Sequence, residues 1–259
     1  MARIISIFSS KGGVGKTTLT TNLGLALSSK FNKKVTLIDC NLTSSHLSLY
    51  LGIFYSPITL NKVLRGEYRI EEAIQTYQNM QIIPASLSAF DLEGVDMVKL
   101  PQIISSLDNL NDFIILDSAP GLGREALSAL KASREVLFVT MPLVSSVLDI
   151  VRAQEVLRES GIKQLGIVLN MVRNASYEMR KEEIEQLTGL KVLASIPYDN
   201  EVYRSAALKQ PIVALNPKSK VSKEIFRLAA FIAGIEYLEK KSFIERIGDK
   251  FKIIRAFRF

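Results

Sequence analysis

Residues 3–18 read RIISIFSSKGGVGKTT, an apolar run followed by a glycine-rich turn and by residues suited to starting a helix. Glycine permits a close approach of backbone to ligand, and the N–H groups at a helix start attract anions. In such a loop a lysine reaches the β- and γ-phosphates and the next hydroxyl binds Mg²⁺, positions that Lys16 and Thr17 occupy here. The other loop residues expected at the nucleotide are Gly12, Gly13, Val14, Gly15 and Thr18. The stretch therefore predicts a phosphate-binding loop rather than a glycine turn without a ligand.

Short apolar runs alternate with helix-period segments along most of the chain. The predicted strands are Arg3 to Phe8, Val35 to Ile38, Met80 to Ile83, Phe113 to Leu116, Val136 to Val139, Leu165 to Leu169 and Val192 to Ile196. The predicted helices include Thr17 to Lys30, Lys99 to Leu107, Val147 to Glu159 and Tyr177 to Leu187. Runs that are apolar throughout are typical of strands covered on both faces. We expect an α/β fold with a mostly parallel, twisted sheet of about seven or eight strands and helices on both faces.

Composition restricts the domain count and the kinds of site. The 259 residues suffice for one α/β domain, which we place at residues 1–238, followed by a tail at residues 239–259. Cys40 is the only cysteine, so a disulfide framework or a thiolate-held metal site within one chain is excluded, and we expect its side chain to be buried. No segment resembles a signal peptide or approaches the ~20 apolar residues of a spanning helix. We expect a cytoplasmic protein, at most peripheral on a membrane.

Three motifs carry a resemblance to one family of nucleotide-binding proteins. The loop Lys-Gly-Gly-Val-Gly-Lys-Thr-Thr at residues 11–18 resembles the deviant Walker A loop of the MinD/ParA family of dimerising ATPases. Val35 to Asn41 resembles the second-strand motif of that family, and Ile114 to Gly121 resembles its Walker B and switch II. The resemblance covers about residues 1–235 in order and looks closest to archaeal MinD-like proteins.

The resemblance implies a single-domain P-loop NTPase that binds ATP with Mg²⁺ and forms a homodimer through the nucleotide. In that family the additional lysine of the loop, here Lys11, reaches the phosphates of the nucleotide in the partner subunit. Lys11 is therefore predicted to sense dimerisation.

Two aspartates end apolar runs, where ligands of parallel sheets are bound. Asp117 precedes Ser-Ala-Pro-Gly, a turn in which the carboxylate can hold a metal-bound water and the Gly121 N–H can face a γ-phosphate. Asp39 is the equivalent residue of the second strand and is expected near Mg²⁺ or its waters. The alternative for each aspartate is a carboxylate that only caps a turn. Thr17, Asp39 and Asp117 form the predicted metal site.

Asn41 departs from the family pattern. Relatives usually carry aspartate at this position, and that second carboxylate orients the attacking water. An amide can orient water but cannot accept its proton as a carboxylate can. The sequence therefore predicts either a slow ATPase in which another group positions the water, or a nucleotide-dependent binding switch with weak turnover; we favour the slow ATPase.

Base recognition is expected at the ends of two later strands. Asn170 and Arg173 resemble the Asn-x-x-Arg adenine site of the family. A side-chain amide can pair with the adenine edge, and a guanidinium can stack on the base. The segment Ile196 to Asp199, with Pro197 and Asp199 as the expected contacts, is expected to form the second wall, as in the family. The preference for ATP over GTP depends largely on this resemblance.

The last 20 residues combine positive charge with a stripe of phenylalanine and isoleucine. From Lys240 onward there are seven basic and two acidic residues. If the tail is helical, six apolar side chains lie within an arc of about 140°. These side chains are Phe243, Ile244, Ile247, Phe251, Ile254 and Phe257. Such a helix suits the interface of an anionic membrane. The alternatives are packing against the domain or a protein partner, and non-specific DNA binding, which needs charge but no apolar stripe.

These features predict a MinD-like ATPase that acts as a dimerising switch and positions a cell-division component or another structure at the membrane, with an unidentified protein regulator or cargo. A DNA-partition ATPase and a flagellar-number regulator remain alternatives. An iron–sulfur carrier of the same superfamily would need a pair of cysteines, which this chain lacks. A ligase that forms an amide through an acyl phosphate would need a substrate pocket that the sequence does not reveal.

Overall fold

A computed structural model describes residues 1–237 and contains one eight-stranded sheet within them. The strands are β1 (Arg3–Phe8), β2 (Val35–Cys40), β3 (Gln75–Tyr77), β4 (Met80–Ile83), β5 (Phe113–Ser118), β6 (Glu135–Thr140), β7 (Lys163–Val172) and β8 (Val192–Pro197). Their spatial order is β3-β4-β2-β5-β1-β6-β7-β8. All neighbours pair in parallel except β3 and β4, which are antiparallel. The predicted α/β fold and strand number are confirmed.

Ten α-helices connect or follow the strands in residues 1–237. They are α1 (Lys16–Leu25), α2 (Leu47–Tyr50), α3 (Leu60–Leu64), α4 (Leu100–Ser105), α5 (Arg124–Ala132), α6 (Val144–Leu157), α7 (Lys181–Thr188), α8 (Asn200–Ala207), α9 (Ile212–Leu215) and α10 (Lys220–Ala233). A π-helical segment, Ala26–Lys30, continues α1. Within the described residues, no helix combines the length and apolarity needed to cross a bilayer.

Helices cover both faces of the sheet, as the all-apolar strands predict. In β1, Ile5 and Ile7 point into a cluster that includes α1, α9 and α10. Ile4 and Phe8 point to the other face, into clusters that include α4, α5 and α6. Full burial of each such side chain stabilises the folded state by about 1.5–3 kcal/mol. Because successive side chains of a strand alternate, β1 anchors both layers of helices at once.

Several elements differ from the sequence prediction, among them β3 and α7. The strand β3 is unpredicted because it has only three residues and no apolar run. The helix α7 begins at Lys181 and not at Tyr177, because Glu178 accepts hydrogen bonds from the backbone N–H groups of Arg173 and Ala175. Those bonds hold the preceding residues in a turn. Cys40 is fully buried, as expected, and burial raises the pKa of its thiol.

The chain order changes direction around β1, which lies between β5 on one side and β6 on the other. In open α/β sheets, ligands bind at the carboxyl ends of strands at such a switch point. The segment that follows β1 is the glycine-rich loop. At the same edge of the sheet, Asp39 of β2 is paired with Asp117 of the neighbouring strand β5. The two carboxylates therefore lie side by side next to the loop.

Candidate nucleotide-binding site

The glycine-rich loop passes from β1 into α1 with two residues in the left-handed region. Gly13 has φ +76° and Gly15, which precedes the first turn of α1, has φ +92°. A Cβ atom on Gly15 would lie 2.3 Å from Nδ2 of Asn170. That amide nitrogen donates a 2.7 Å hydrogen bond to the carbonyl oxygen of Val14. The end of β7 therefore holds the loop in place, and only glycine fits at position 15.

A cavity of about 390 Å³ lies beside this loop. Ten residues that the sequence singled out line it: Gly12, Gly13, Gly15, Lys16, Thr17, Thr18, Asn41, Asn170, Pro197 and Asp199. The structure thus brings together the loop, the second-strand motif and both walls of the expected base site. Such convergence of polar groups at the mouth of a sheet is typical of a ligand pocket.

Several lining residues were missed by sequence reasoning. They are Ser44, His46, Tyr50, Pro120, Met171, Val202, Tyr203 and Ala206. The rings of Tyr50 and Tyr203 come from α2 and α8, which are far apart in the chain. No local pattern indicates that these rings share one wall. Tyr198, which belongs to the expected second wall, lines the cavity as well.

Lys16 and the two aspartates form a buried charged group at the base of the cavity. The Lys16 ammonium donates to Ser9 Oγ at 3.1 Å, and burial lowers the pKa of Lys16 while the nearby Asp117 carboxylate opposes that shift. The hydroxyl groups of Thr17 and Thr20 donate to the two Asp117 oxygens at 2.6 and 3.1 Å. A lysine that is poorly solvated and close to a negative charge is prepared to bind phosphate oxygens.

Thr17 and Asp117 fit a magnesium site. Mg²⁺ is usually held by one or two protein oxygens together with phosphate oxygens and waters. Within residues 1–237 no group of three or more His, Cys, Asp or Glu side chains could hold a metal on its own. The threonine hydroxyl and aspartate oxygen, 2.6 Å apart, match the sparse protein contribution expected when a nucleotide supplies the remaining ligands.

Asp39 is engaged by the loop that follows β2. One carboxylate oxygen accepts from the Asn41 N–H at 3.1 Å, and the other accepts from Ser45 Oγ at 2.8 Å and the Leu47 N–H at 3.1 Å. Burial and the neighbouring Asp117 raise the pKa of Asp39 to about 7. Asp39 is buried beneath the cavity rather than on its described wall, so it holds this loop against the phosphate site.

Asn41 lines the cavity, but its side chain has a partner. The Asn41 amide nitrogen donates to the Ser44 carbonyl oxygen at 2.7 Å. Gly121 lies behind the loop, where its N–H donates to the Ser9 carbonyl oxygen at 3.1 Å. In this structure the Gly121 N–H is therefore turned to the loop backbone, and facing a γ-phosphate would require that bond to break.

Lys11 points away from the cavity, towards the start of α6. Its ammonium lies 3.0 Å from Ser145 Oγ and 3.5 Å from an Asp149 carboxylate oxygen. The neighbouring Val144 and Leu148 side chains are 57% and 40% exposed. The lysine thus stands at the edge of an exposed, partly apolar surface.

Of the four residues expected at the base site, three line the cavity and Arg173 does not. Asn170, Pro197 and Asp199 line the cavity, and the Asp199 carboxylate also caps α8 by accepting from the Glu201 N–H at 2.9 Å. Arg173 is not among the residues of the wall: its guanidinium carbon stacks 3.7 Å from the centre of the Tyr198 ring. Tyr198 faces the cavity, so in this structure Arg173 supports the wall from behind.

A glycine-rich loop at a helix start, a buried lysine and a paired threonine and aspartate define a P-loop nucleotide-binding protein. The chain belongs to the CobQ/CobB/MinD/ParA nucleotide-binding domain family, whose model matches residues 5–212. The resemblance drawn from the three motifs is confirmed.

Proteins of known sequence and structure agree with this assignment. An uncharacterized ATP-binding protein of Methanocaldococcus jannaschii is 32% identical over 252 residues, which cover 95% of each chain. The cell division ATPase MinD of Pyrococcus furiosus has 37% identity and a TM-score of 0.87, covering 90% of this chain and 99% of that one. MinD of Pyrococcus horikoshii, solved in complex with Mg-ADP, has 36% identity and a TM-score of 0.86, with coverages of 90% and 96%.

Asp39 is expected to make the stability of the nucleotide-free protein fall with rising pH. Its folded pKa of about 7 lies above its ordinary value of 3.8, so the folded state holds an extra proton between these pH values. Raising the pH through this window removes that proton and reduces the free energy of unfolding, by at most about 1.4 kcal/mol per pH unit. Urea unfolding with EDTA at pH 5 and pH 8 measures the effect.

Asp39→Asn is the matched control because its side chain stays neutral at every pH. From pH 5 to pH 8, the free energy of unfolding of the wild type should fall relative to that of Asp39→Asn. An unchanged difference would show that Asp39 is already ionised at pH 5.

Proposed function

We propose that this protein is an ATP-dependent, dimerising switch with slow ATPase activity that associates reversibly with an anionic membrane. The observation that carries the proposal is the position of Lys11, beside the phosphate loop yet turned outward to an exposed surface. A lysine in the loop that does not serve the cavity of its own chain is available for a second subunit.

Adenine nucleotide with Mg²⁺ is the proposed ligand. The relative from P. horikoshii is in complex with Mg-ADP, and the residues that suit Mg²⁺ and phosphate here are Lys16, Thr17 and Asp117. The Asn170 amide uses one proton on the Val14 carbonyl, which leaves its oxygen and its second proton for the base edge. The rings of Tyr198 and Tyr203 provide apolar surface on the same wall.

The contacts around Lys11 support the proposed dimer. To reach a nucleotide in a second subunit, Lys11 must leave Ser145 and Asp149. Asp149 also pairs with Arg152 at 3.1 Å, so it keeps a cation when Lys11 departs. Val144 and Leu148 would be covered in the contact between two subunits, which adds apolar burial to the ionic contact.

Slow turnover is the proposed consequence of Asn41. Positioning and charge neutralisation supply most of the catalysis in phosphoryl transfer, so an amide in place of a carboxylate slows hydrolysis without abolishing it. The Asn41 amide is also held by the Ser44 carbonyl, which reduces its freedom to orient a water.

Asn41→Asp is expected to raise the rate of ATP hydrolysis about tenfold, because a carboxylate can both orient the attacking water and accept its proton. Steady-state phosphate release at saturating Mg-ATP measures the rate. Asn41→Ala is the matched control, since it also removes the hydrogen bond to Ser44 but supplies no carboxylate. If both variants hydrolyse ATP at the wild-type rate, residue 41 does not hold the water.

Membrane association is proposed for the tail, residues 239–259, which lies outside the described residues. Each Lys or Arg near an anionic bilayer contributes up to about 1 kcal/mol, and buried phenylalanine and isoleucine add to it. A dimer presents two tails, and the second binds at a raised effective concentration. Nucleotide state would then control residence at the cytoplasmic face of the membrane.

Vesicle co-sedimentation tests the membrane proposal. Full-length protein should pellet with vesicles of equal phosphatidylglycerol and phosphatidylcholine more strongly with ATP than with ADP. A chain ending at Lys240, and the full-length variant Phe251→Asp, should stay in the supernatant. Phe90→Asp is the matched control because Phe90 is a body phenylalanine with 92% exposure. Equal pelleting of full-length and shortened chains with ATP would contradict a membrane role for the tail.

The biological role proposed is the positioning of a cell-division component or another cellular structure, through a protein regulator or cargo. The relative from P. furiosus is a cell division ATPase, which supports this reading. The basic tail also suits a DNA-partition ATPase, as seven basic residues would contact phosphates of any sequence. Duplex DNA binding that disappears above about 0.2 M salt, together with no vesicle binding, would favour that alternative.

A further inference from the structure

A second cavity, of about 680 Å³, opens at the opposite edge of the sheet from the nucleotide site. It is bounded by the π-helical segment, the turn between β3 and β4, and the helices α9 and α10. Lys30 lies fourteen residues after Lys16 along nearly continuous helix, which places the two sites about 20 Å apart. This cavity is therefore separate from the phosphate loop.

The wall of this cavity has an apolar floor and a basic rim. Phe226, Val213 and Leu25 are buried beneath it, and the charged side chains of its described wall are all lysines. Lys30 and Lys218 are exposed, and no carboxylate of residues 1–237 pairs with either. The Lys30 ammonium lies over the rings of Phe226 and Tyr237, at 5.4 and 5.9 Å from their centres. The pattern suits a ligand with an anionic head and an apolar body.

Two backbone features coincide at the cavity. The π-helical segment Ala26–Lys30 places Ser29 and Lys30 on the wall. Turns of π-helix are rare in proteins, and those that occur are often found at functional sites. Gln78 has φ +50° at the tip of the turn between β3 and β4 and lines the same wall. A left-handed conformation is uncommon for a residue other than glycine and persists only where the surroundings hold it.

We propose that this cavity binds an anionic phospholipid, with the phosphate at Lys30 and Lys218 and the glycerol and upper acyl carbons over Phe226. The proposal rests on the membrane association proposed above. Tyr237 lines the cavity and is followed at once by residues 238–259, so a tail bound to a bilayer would bring the cavity to the headgroup layer. The lipid site then adds a contact from the domain itself.

The tail of the same chain is the main competing occupant. Residues 239–259 carry seven basic and three acidic side chains, and this net positive charge opposes docking of the tail beside the lysines of the rim. A lipid phosphate instead complements the rim. Charge therefore favours the lipid over the tail.

Monomeric dihexanoyl-phosphatidylglycerol, below its micelle concentration, tests the site on the full-length chain. Isothermal titration calorimetry should give binding that Lys30→Glu/Lys218→Glu weakens at least tenfold. The control variant Lys99→Glu/Lys131→Glu has the same net charge as Lys30→Glu/Lys218→Glu, but its substitutions lie at exposed positions outside the cavity. It should bind the lipid as the wild type does. Ala214→Phe, which fills the cavity without changing charge, should also lose binding. Thermal melting confirms that each variant is folded.

Three results would overturn the proposal. These are equal weakening by both charge-reversed pairs, binding of glycerophosphate as strong as that of the lipid, and binding of dihexanoyl-phosphatidylcholine as strong as that of phosphatidylglycerol. A wild-type chain that binds no lipid until Phe251→Asp is introduced would show that the tail occupies the cavity, and would also overturn it.

The same measurements separate this site from the membrane proposal. Vesicle pelleting of the wild type without binding of the short-chain lipid would leave the membrane role of the tail intact and refute the cavity site. Binding of the short-chain lipid without vesicle pelleting would refute membrane association by the tail and support the cavity site.

Discussion

Gly15→Ala is expected to weaken ATP binding at least a hundredfold. A Cβ atom at this position would lie 2.3 Å from the Asn170 amide nitrogen, and the φ of +92° disfavours any side chain. Asn170 cannot simply move, because its amide holds the Val14 carbonyl. The loop must shift, and its N–H groups then lose their alignment on the phosphates. Calorimetric titration with Mg-ATP measures the loss.

Gly123→Ala is the matched control for this substitution. A Cβ atom on Gly123 would meet nothing within 4 Å, and its φ of −71° suits alanine. It should bind ATP with nearly the affinity of the wild type. If Gly15→Ala also bound ATP normally while remaining folded, the contact between the loop and Asn170 would not define the phosphate site.

Lys11→Ala is expected to abolish ATP-dependent dimerisation while changing the ATP affinity of the single chain only a few-fold. The Lys11 ammonium contacts Ser145 and Asp149 and lies off the described wall of its own cavity. Its removal leaves the phosphate contacts of the same chain intact. Sedimentation velocity with a non-hydrolysable ATP analogue should show dimers for the wild type and monomers for the variant.

An exposed lysine far from the loop gives the comparison for Lys11→Ala. Lys99→Ala removes the same charge and should dimerise as the wild type does. Two results would refute a dimer-sensing role. The first is normal dimerisation of Lys11→Ala. The second is an ATP affinity of the Lys11→Ala chain so low that failure to bind ATP by itself explains the absence of dimers.

The strands and the phosphate loop were predictable because their signals are local. Val35–Cys40 and Phe113–Ser118 are buried along their whole length, and apolar runs reveal such strands directly. Polar residues at their ends, Asp39 and Asp117, mark the ligand edge by position alone. β7 runs on to Val172, beyond the predicted end at Leu169, because an irregular register carries it past Asn170. A polar residue there hid the continuation.

The partners of the site residues were not predictable. Lys11 meets Asp149, and Asn170 meets Val14, across more than a hundred residues of chain, and no periodicity encodes such pairs. The position of Arg173 behind Tyr198 depends on how the end of β7 packs against the end of β8. The basic cavity was equally hidden, since its lysines come from the π-helical segment, the turn before α10 and α10 itself, which only the folded chain brings together.

The short strand β3 bears on how many copies of this protein can gather in one place. It is three residues long, antiparallel to β4 and ends in a tight turn at Gln78. A sheet edge with so few free N–H and C=O groups is a poor template for an incoming strand. Copies of this protein at high concentration would therefore resist strand pairing and fibrillar aggregation at this edge of the sheet.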